Sequence, residues 1–209
     1  AFEITLQRDI LGKFPSKKGG FGVVYHCDAV PMKGEVSVKA VIKHMHYDGS
    51  GDETQLPQLN EDLENEIALI HRVEALNLTP PLLAEFTFKA HESARPYRMF
   101  LQREASGKTL FDLKDCMATP QRIELLWHIL QQFTTLHNNG LYHTDVDLRH
   151  IYWDEDAQSI QIIDWGGGFF HDPSEPSEFT GKKLKHGGKE YYVSNEQRNR
   201  DIFTPQSEV

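Results

Sequence analysis

The sequence predicts an α+β fold in two lobes, a β-rich N-terminal lobe with one helix and a reduced, mainly helical C-terminal lobe. Three observations predict it. Short β-branched runs broken by glycines and prolines fill residues 2–43. Helical apolar spacing appears over residues 61–76 and again after Thr119-Pro120. Between these helices Ala105-Ser106-Gly107-Lys108-Thr109-Leu110 reads as a linker, which divides the chain into residues 1–104 and 105–209.

The totals narrow the function. At 39% apolar against 25% charged, the 209 residues supply enough nonpolar side chain for a core. A net charge of -9 argues against nucleic acid as a partner, because phosphates attract Lys and Arg. Cys27 and Cys116 form no CxxC pair, which excludes a cysteine zinc site and points to a reducing compartment. The 11 histidines show no HExxH spacing. No apolar run reaches membrane-span length and no signal-peptide pattern opens the chain, so the expectation is a soluble, cytoplasmic protein.

In chain order, Lys17-Lys18-Gly19-Gly20-Phe21-Gly22-Val23-Val24-Tyr25 is a glycine turn entering a β-branched run. Glycines there let backbone N–H groups approach a phosphate that a Cβ would hold off, although a plain hairpin explains the same pattern. Residues 36–43 alternate as a strand carrying Lys39 and Lys43, and residues 44–60 read as a polar loop. The helix over 61–76 places apolar residues at Leu63, Ile67, Ile70 and Val73, with Glu66 beside that face, where a strand lysine can pair with it.

Thr79-Pro80-Pro81 ends the helix, and residues 82–89 and 97–103 read as strands. Thr119-Pro120 opens the second helix as N-cap and first helical residue. Its expected buried stripe is Ile123, Leu126, Ile129, Leu130, Phe133 and Leu136, and Asn138-Asn139-Gly140 ends it. Ile151-Tyr152-Trp153 and Ile160-Gln161-Ile162-Ile163 form a hairpin. Residues 166–189 have the composition of a mobile loop.

The chemistry concentrates in His143-Thr144-Asp145 and Ile163-Asp164-Trp165-Gly166. Asp145 stands on a tight loop after the helix, and Asp164 at the end of a short apolar strand. Two carboxylates so placed suit one base and one hard-metal ligand.

The order glycine turn, strand lysine, helix glutamate, linker, helix, His-x-Asp loop and Asp-Trp-Gly resembles the protein-kinase fold over essentially the whole chain. The resemblance implies that Gly19, Gly20, Phe21, Gly22 and Val24 hold ATP. Of Lys39 and Lys43, Lys39 fits the family's distance from Gly22, so it is expected to contact the phosphates and pair with Glu66. It further implies that Asp145 acts on the acceptor hydroxyl, that Asp164 binds Mg2+, and that backbone of residues 103–105 closes the adenine pocket. Arg149 would supply the γ-phosphate cation, since Asp147 stands where serine/threonine kinases carry lysine. His150 replaces the metal-binding asparagine, which predicts tolerance of Mn2+, because imidazole suits softer metals; the alternative is a packed core histidine.

Thr144 stands for the arginine of His-Arg-Asp, so activity is not expected to wait on loop phosphorylation. Tyr192-Val193-Ser194-Asn195-Glu196-Gln197 resembles the end of an activation segment, and Ser207-Glu208-Val209 the start of a next helix. The leading expectation is therefore an ATP-dependent protein kinase, serine/threonine-directed and minimal or cut short. Its analogy to secreted bacterial effectors implies delivery to a host cytoplasm and a host protein as substrate. The alternatives are a pseudokinase scaffold and a small-molecule kinase of the aminoglycoside or lipopolysaccharide-sugar type.

Overall fold

The structure, a computed structural model, describes residues 2–6, 16–19, 22–31, 36–44, 56–88 and 97–172. It is α+β. The described residues form two compact units, one reaching to Ala68 and resuming over Pro80–Glu104, the other made of Leu69–Thr79 and the residues from Ala105 on. No described helix is long and apolar enough to cross a membrane.

The first unit is a curled antiparallel sheet. Its strands are β1 (Phe2–Leu6), β2 (Ser16–Gly19), β3 (Gly22–Pro31), β4 (Val38–His44), β5 (Leu82–Phe88) and β6 (Tyr97–Arg103), ordered β1-β3-β4-β6-β5 with β2 also on β3. Strand alternation gives the sheet two different faces. On one, Cys27, Ala29, Ala40 and Leu101 are buried, with Phe2, Val38, Ile42, Leu83, Ala84 and Phe86 packed against them. The other carries Val24, His26 and Asp28 opposite Lys43, Val41 and Lys39. Gln102 is buried on this second face, opposite Val41, and its amide donates to Pro80 O at 2.7 Å.

Helix α1 (Leu56–Glu74) starts earlier than its apolar spacing suggested, so residues 56–60 are helix rather than loop. Pro57 is compatible with a first turn, where its missing N–H has no acceptor to lose, and Gln58 donates to Asp62 at 3.0 Å across one turn. Asn77, left-handed at φ 58, follows the helix end.

The second unit holds α3 (Thr119–Asn138) and two small sheets. The expected linker is partly structured: β7 (Lys108–Thr109) pairs with β9 (Ile151–Asp154), which pairs with β10 (Ser159–Ile162). The short α2 (Leu110–Leu113) follows, capped by Thr109, whose hydroxyl accepts from Asp112 N at 3.1 Å. In α3 the N-cap is Ala118, not Thr119, and Gln121 Oε1 accepts from Ala118 N at 3.0 Å. Its buried residues are Leu125, Phe133 and Leu136, whereas Ile123 and Leu126 are exposed. The expected stripe had merged two faces of the helix.

The remaining elements are β8 (Leu141–Tyr142), a 3-10 turn at Trp165–Gly167 and β11 (Phe169–Phe170), which pairs with β8. The first residues of the expected mobile loop are therefore ordered. Phe169 stacks on Tyr142 with ring centroids 5.0 Å apart, and the Arg72 guanidinium lies 3.8 Å over the Phe170 ring. The segment around Glu196 lies outside the described residues.

Candidate active site

In the second unit the loop after β8 is strapped to the segment after β10 by side chains. His143 is fully buried. Its Nδ1 lies 3.3 Å from the Asp145 N–H, so Nδ1 accepts and Nε2 carries the proton that goes to Ile163 O at 2.8 Å. Thr144, left-handed at φ 64, donates its hydroxyl to Gly167 O at 2.7 Å. Ile163 N donates to His150 O at 2.9 Å. Trp165 is buried, meets His143 edge to face at 4.7 Å and donates its indole N–H to Ile162 O at 3.1 Å. A phenylalanine at this position lacks that donor.

These straps bracket Asp164, whose backbone is left-handed at φ 65. Asp145, His150 and Asp164 come together, with one ligand atom from each lying within 4.8 Å of the others. His150 Nδ1 is 3.0 Å from Asp145 O and so donates to that carbonyl. This leaves the Nε2 lone pair 3.7 Å from Asp164 Oδ2. An imidazole oriented by a backbone carbonyl, with its other nitrogen facing a carboxylate, is an arrangement that suits a divalent cation. Two carboxylates and one imidazole fit Mg2+ and, through the nitrogen, Mn2+.

Arg149, expected as the γ-phosphate cation, is paired with Asp147 in this structure. Its Nε and Nη2 donate to Asp147 Oδ1 and Oδ2 at 2.8 and 2.7 Å, a bidentate clamp on a buried carboxylate. Burial pushes the Asp147 pKa up, but hydrogen bonds from the Arg149 side chain and backbone, and its charge, outweigh this and hold it below the ordinary value. The clamp neutralises Arg149 and shapes the loop.

In the first unit the lysine is corrected. Lys43, not Lys39, meets Glu66: its Nζ lies 2.6 Å from Glu66 Oε1, and both side chains are buried. Lys39 pairs instead with Asp28 at 2.7 Å with its side chain 62% exposed. A hydrogen bond to Asp28 raises the Lys39 pKa. Both lysines share one sheet face, since residues 39, 41 and 43 alternate alike. Alternation therefore cannot choose between them, whereas the position of Glu66 can.

Val24 lies half-buried opposite Lys43. Gly22 has a packing reason of its own, because a Cβ there would meet His44 O at 2.6 Å. Gly19 pairs with Gly22 at the end of β2, while Gly20 and Phe21 lie outside the described residues. At residues 103–105, the Arg103 and Glu104 N–H groups donate to Pro81 O and Lys39 O, each at 3.0 Å. They are engaged within the first unit rather than offered to a base.

Comparison with known families bears on the kinase readings. The model of the Lipopolysaccharide kinase (Kdo/WaaP) family matches residues 37–167, more than half of the 209-residue chain. The chain belongs to that family. The Kdo/WaaP family is part of the protein-kinase-like superfamily and phosphorylates lipopolysaccharide sugars. Its span takes in Lys39, Lys43, Glu66, Asp145, His150 and Asp164, starts after the glycine turn, and stops before the segment that resembles an activation loop. The expectation of a serine/threonine kinase acting on a host protein finds no support in this family. The sugar-kinase alternative fits it.

Proposed function

We propose that this chain transfers the γ-phosphoryl group of ATP to a hydroxyl of a lipopolysaccharide sugar. The observation that carries this reading is the convergence of Asp145, His150 and Asp164 in a chain of the Kdo/WaaP family. Phosphoryl transfer asks for positioning and neutralisation of phosphate charge more than for covalent chemistry. Asp164 and His150 would hold a divalent cation, which would supply neutralising charge for the phosphates. Asp145 orients the acceptor hydroxyl and takes its proton. The straps from His143, Thr144 and Trp165 hold both carboxylates in register, so little reorganisation accompanies the reaction.

In the first unit, Lys43 is the phosphate-contacting cation, steadied by Glu66, and takes the role that the sequence had suggested for Lys39. Val24 and Val41 are half-buried on the same face and offer an apolar platform for the base. A reducing, cytosolic setting belongs to this reading and suits two free thiols, Cys27 buried and Cys116 exposed.

The test is transfer from labelled ATP to purified lipopolysaccharide, run beside casein as a protein acceptor, with the product located by mass spectrometry. The expected result is phosphate on sugar, with a fall of about 10²–10⁴-fold in Asp145→Asn. Asp164→Asn is the matched metal-site control, because asparagine accepts the left-handed backbone. Label on casein with none on sugar overturns the acceptor assignment.

A further inference from the structure

We propose that Arg98 is a positioning residue, setting the rotation of α1 that lets Glu66 reach Lys43. This rests on the reading of Lys43 as the phosphate contact. Arg98 lies on β6, two residues from Phe100, which is the partner of Lys43 across the sheet. Alternation therefore puts Arg98 on the same sheet face as Lys43.

From there it grips the helix. Its guanidinium Nη1 donates to Glu64 Oε1 at 2.6 Å, and its backbone N–H donates to Asn60 Oδ1 at 3.2 Å. Asn60 and Glu64 are one helical turn apart and share a flank of α1. Nη2 lies 3.4 Å from Glu85 Oε2 on β5, which ties the guanidinium back to the sheet.

The geometry of the helix gives this grip a consequence. Leu63 and Ile67 are buried and define the inward stripe of this half of α1. At about 100° per residue, Glu66 sits about 60° to one side of Leu63 and Glu64 about 100° to the other. Lys43 and Arg98 therefore hold opposite flanks of one apolar stripe. An apolar stripe by itself tolerates a roll about the helix axis, because hydrophobic contact is non-directional. Two polar contacts on opposite flanks remove that freedom. Without the Arg98 guanidinium only the backbone bond to Asn60 holds that flank, so α1 can roll further and carry the Glu66 carboxylate off Lys43, leaving the lysine less well aimed at phosphate.

The test is ATP affinity by titration calorimetry, with KM and kcat measured alongside on the full chain. Arg98→Ala is expected to weaken ATP binding about two- to fivefold, the range available to a partly exposed ion pair. The change should fall on KM rather than on kcat, and Arg98→Lys should recover part of it. Glu64→Gln should weaken binding comparably, and the double variant no further, because both act through one contact.

Unchanged ATP affinity in Arg98→Ala overturns the proposal, as does a double variant whose loss is the sum of the two single losses. The reading beneath it is tested separately by Lys43→Met combined with Glu66→Leu, a substitution that leaves no buried charge. If that protein still binds ATP as the wild type does, the role of Lys43 falls. If it does not and Arg98→Ala does, only the role of Arg98 falls.

Discussion

Lys43 and Lys39 stand four residues apart on one strand, yet their environments differ in a way that separates structure from surface. Lys43 and Glu66 are buried together, so removing either strands a charge in the interior. Lys43→Met is expected to lower stability by about 3–5 kcal/mol in urea unfolding and to abolish ATP binding. Lys39→Met should leave both nearly unchanged, since its ion pair with Asp28 is at the surface. Equal loss in the two variants would reverse the assignment.

The Asp147–Arg149 clamp makes a prediction in pH. Because the folded-state pKa of Asp147 is depressed, its contribution to stability is present above the unfolded value and lost as pH falls through the folded one. In Arg149→Met that contribution is missing at neutral pH. The stability gap between wild type and variant should therefore be widest near neutrality and close as the solution is acidified below the ordinary aspartate value of 3.8. A gap that stays constant across an acid titration would show that the clamp does not shift Asp147.

At the scale of elements, β7 depends on a glycine whose sequence context gave only a linker. Gly107 has φ +83, and a Cβ there would come within 2.0 Å of Trp153 O on β9. Gly107→Ala is expected to cost about 2–4 kcal/mol, read from the denaturant midpoint. A cost below about 0.5 kcal/mol would mean that the two strands separate without penalty. Periodicity made the strands around Lys43, α1, α3 and the β9–β10 hairpin legible, because each follows from burying one face. It could not resolve α3, where Leu125 is buried and Ile123 and Leu126 are exposed: two apolar stripes on one helix leave the inward one undetermined. Nor could it find the pairing of β11 with β8, since two-residue strands carry no period and are held by ring contacts between distant residues.

For the molecule as a whole, the order of parts in the chain made a kinase legible, while the acceptor was not, because no residue motif encodes a sugar or a protein hydroxyl. Asp145 and Asp164 stood out as paired loop carboxylates, His150 entered only through the kinase resemblance, and the lysine that pairs with Glu66 was misassigned because spacing does not see burial. Ligand linkage gives a test at this scale. With ATP and a divalent cation at about 100 times Kd, stability should rise by about 2.7 kcal/mol, a shift of about 5–10 °C in Tm for a chain of this length. No shift with nucleotide would contradict a nucleotide site. The division of α1 after Ala68 has a consequence for dissection of the protein. A gene split at Glu104 would strip the C-terminal fragment of Arg72, which covers Phe170, and of Leu78, whose carbonyl accepts from Ile162 N at 2.7 Å. Such a fragment should be sticky on its own, and complementation in trans should require a peptide spanning residues 69–79.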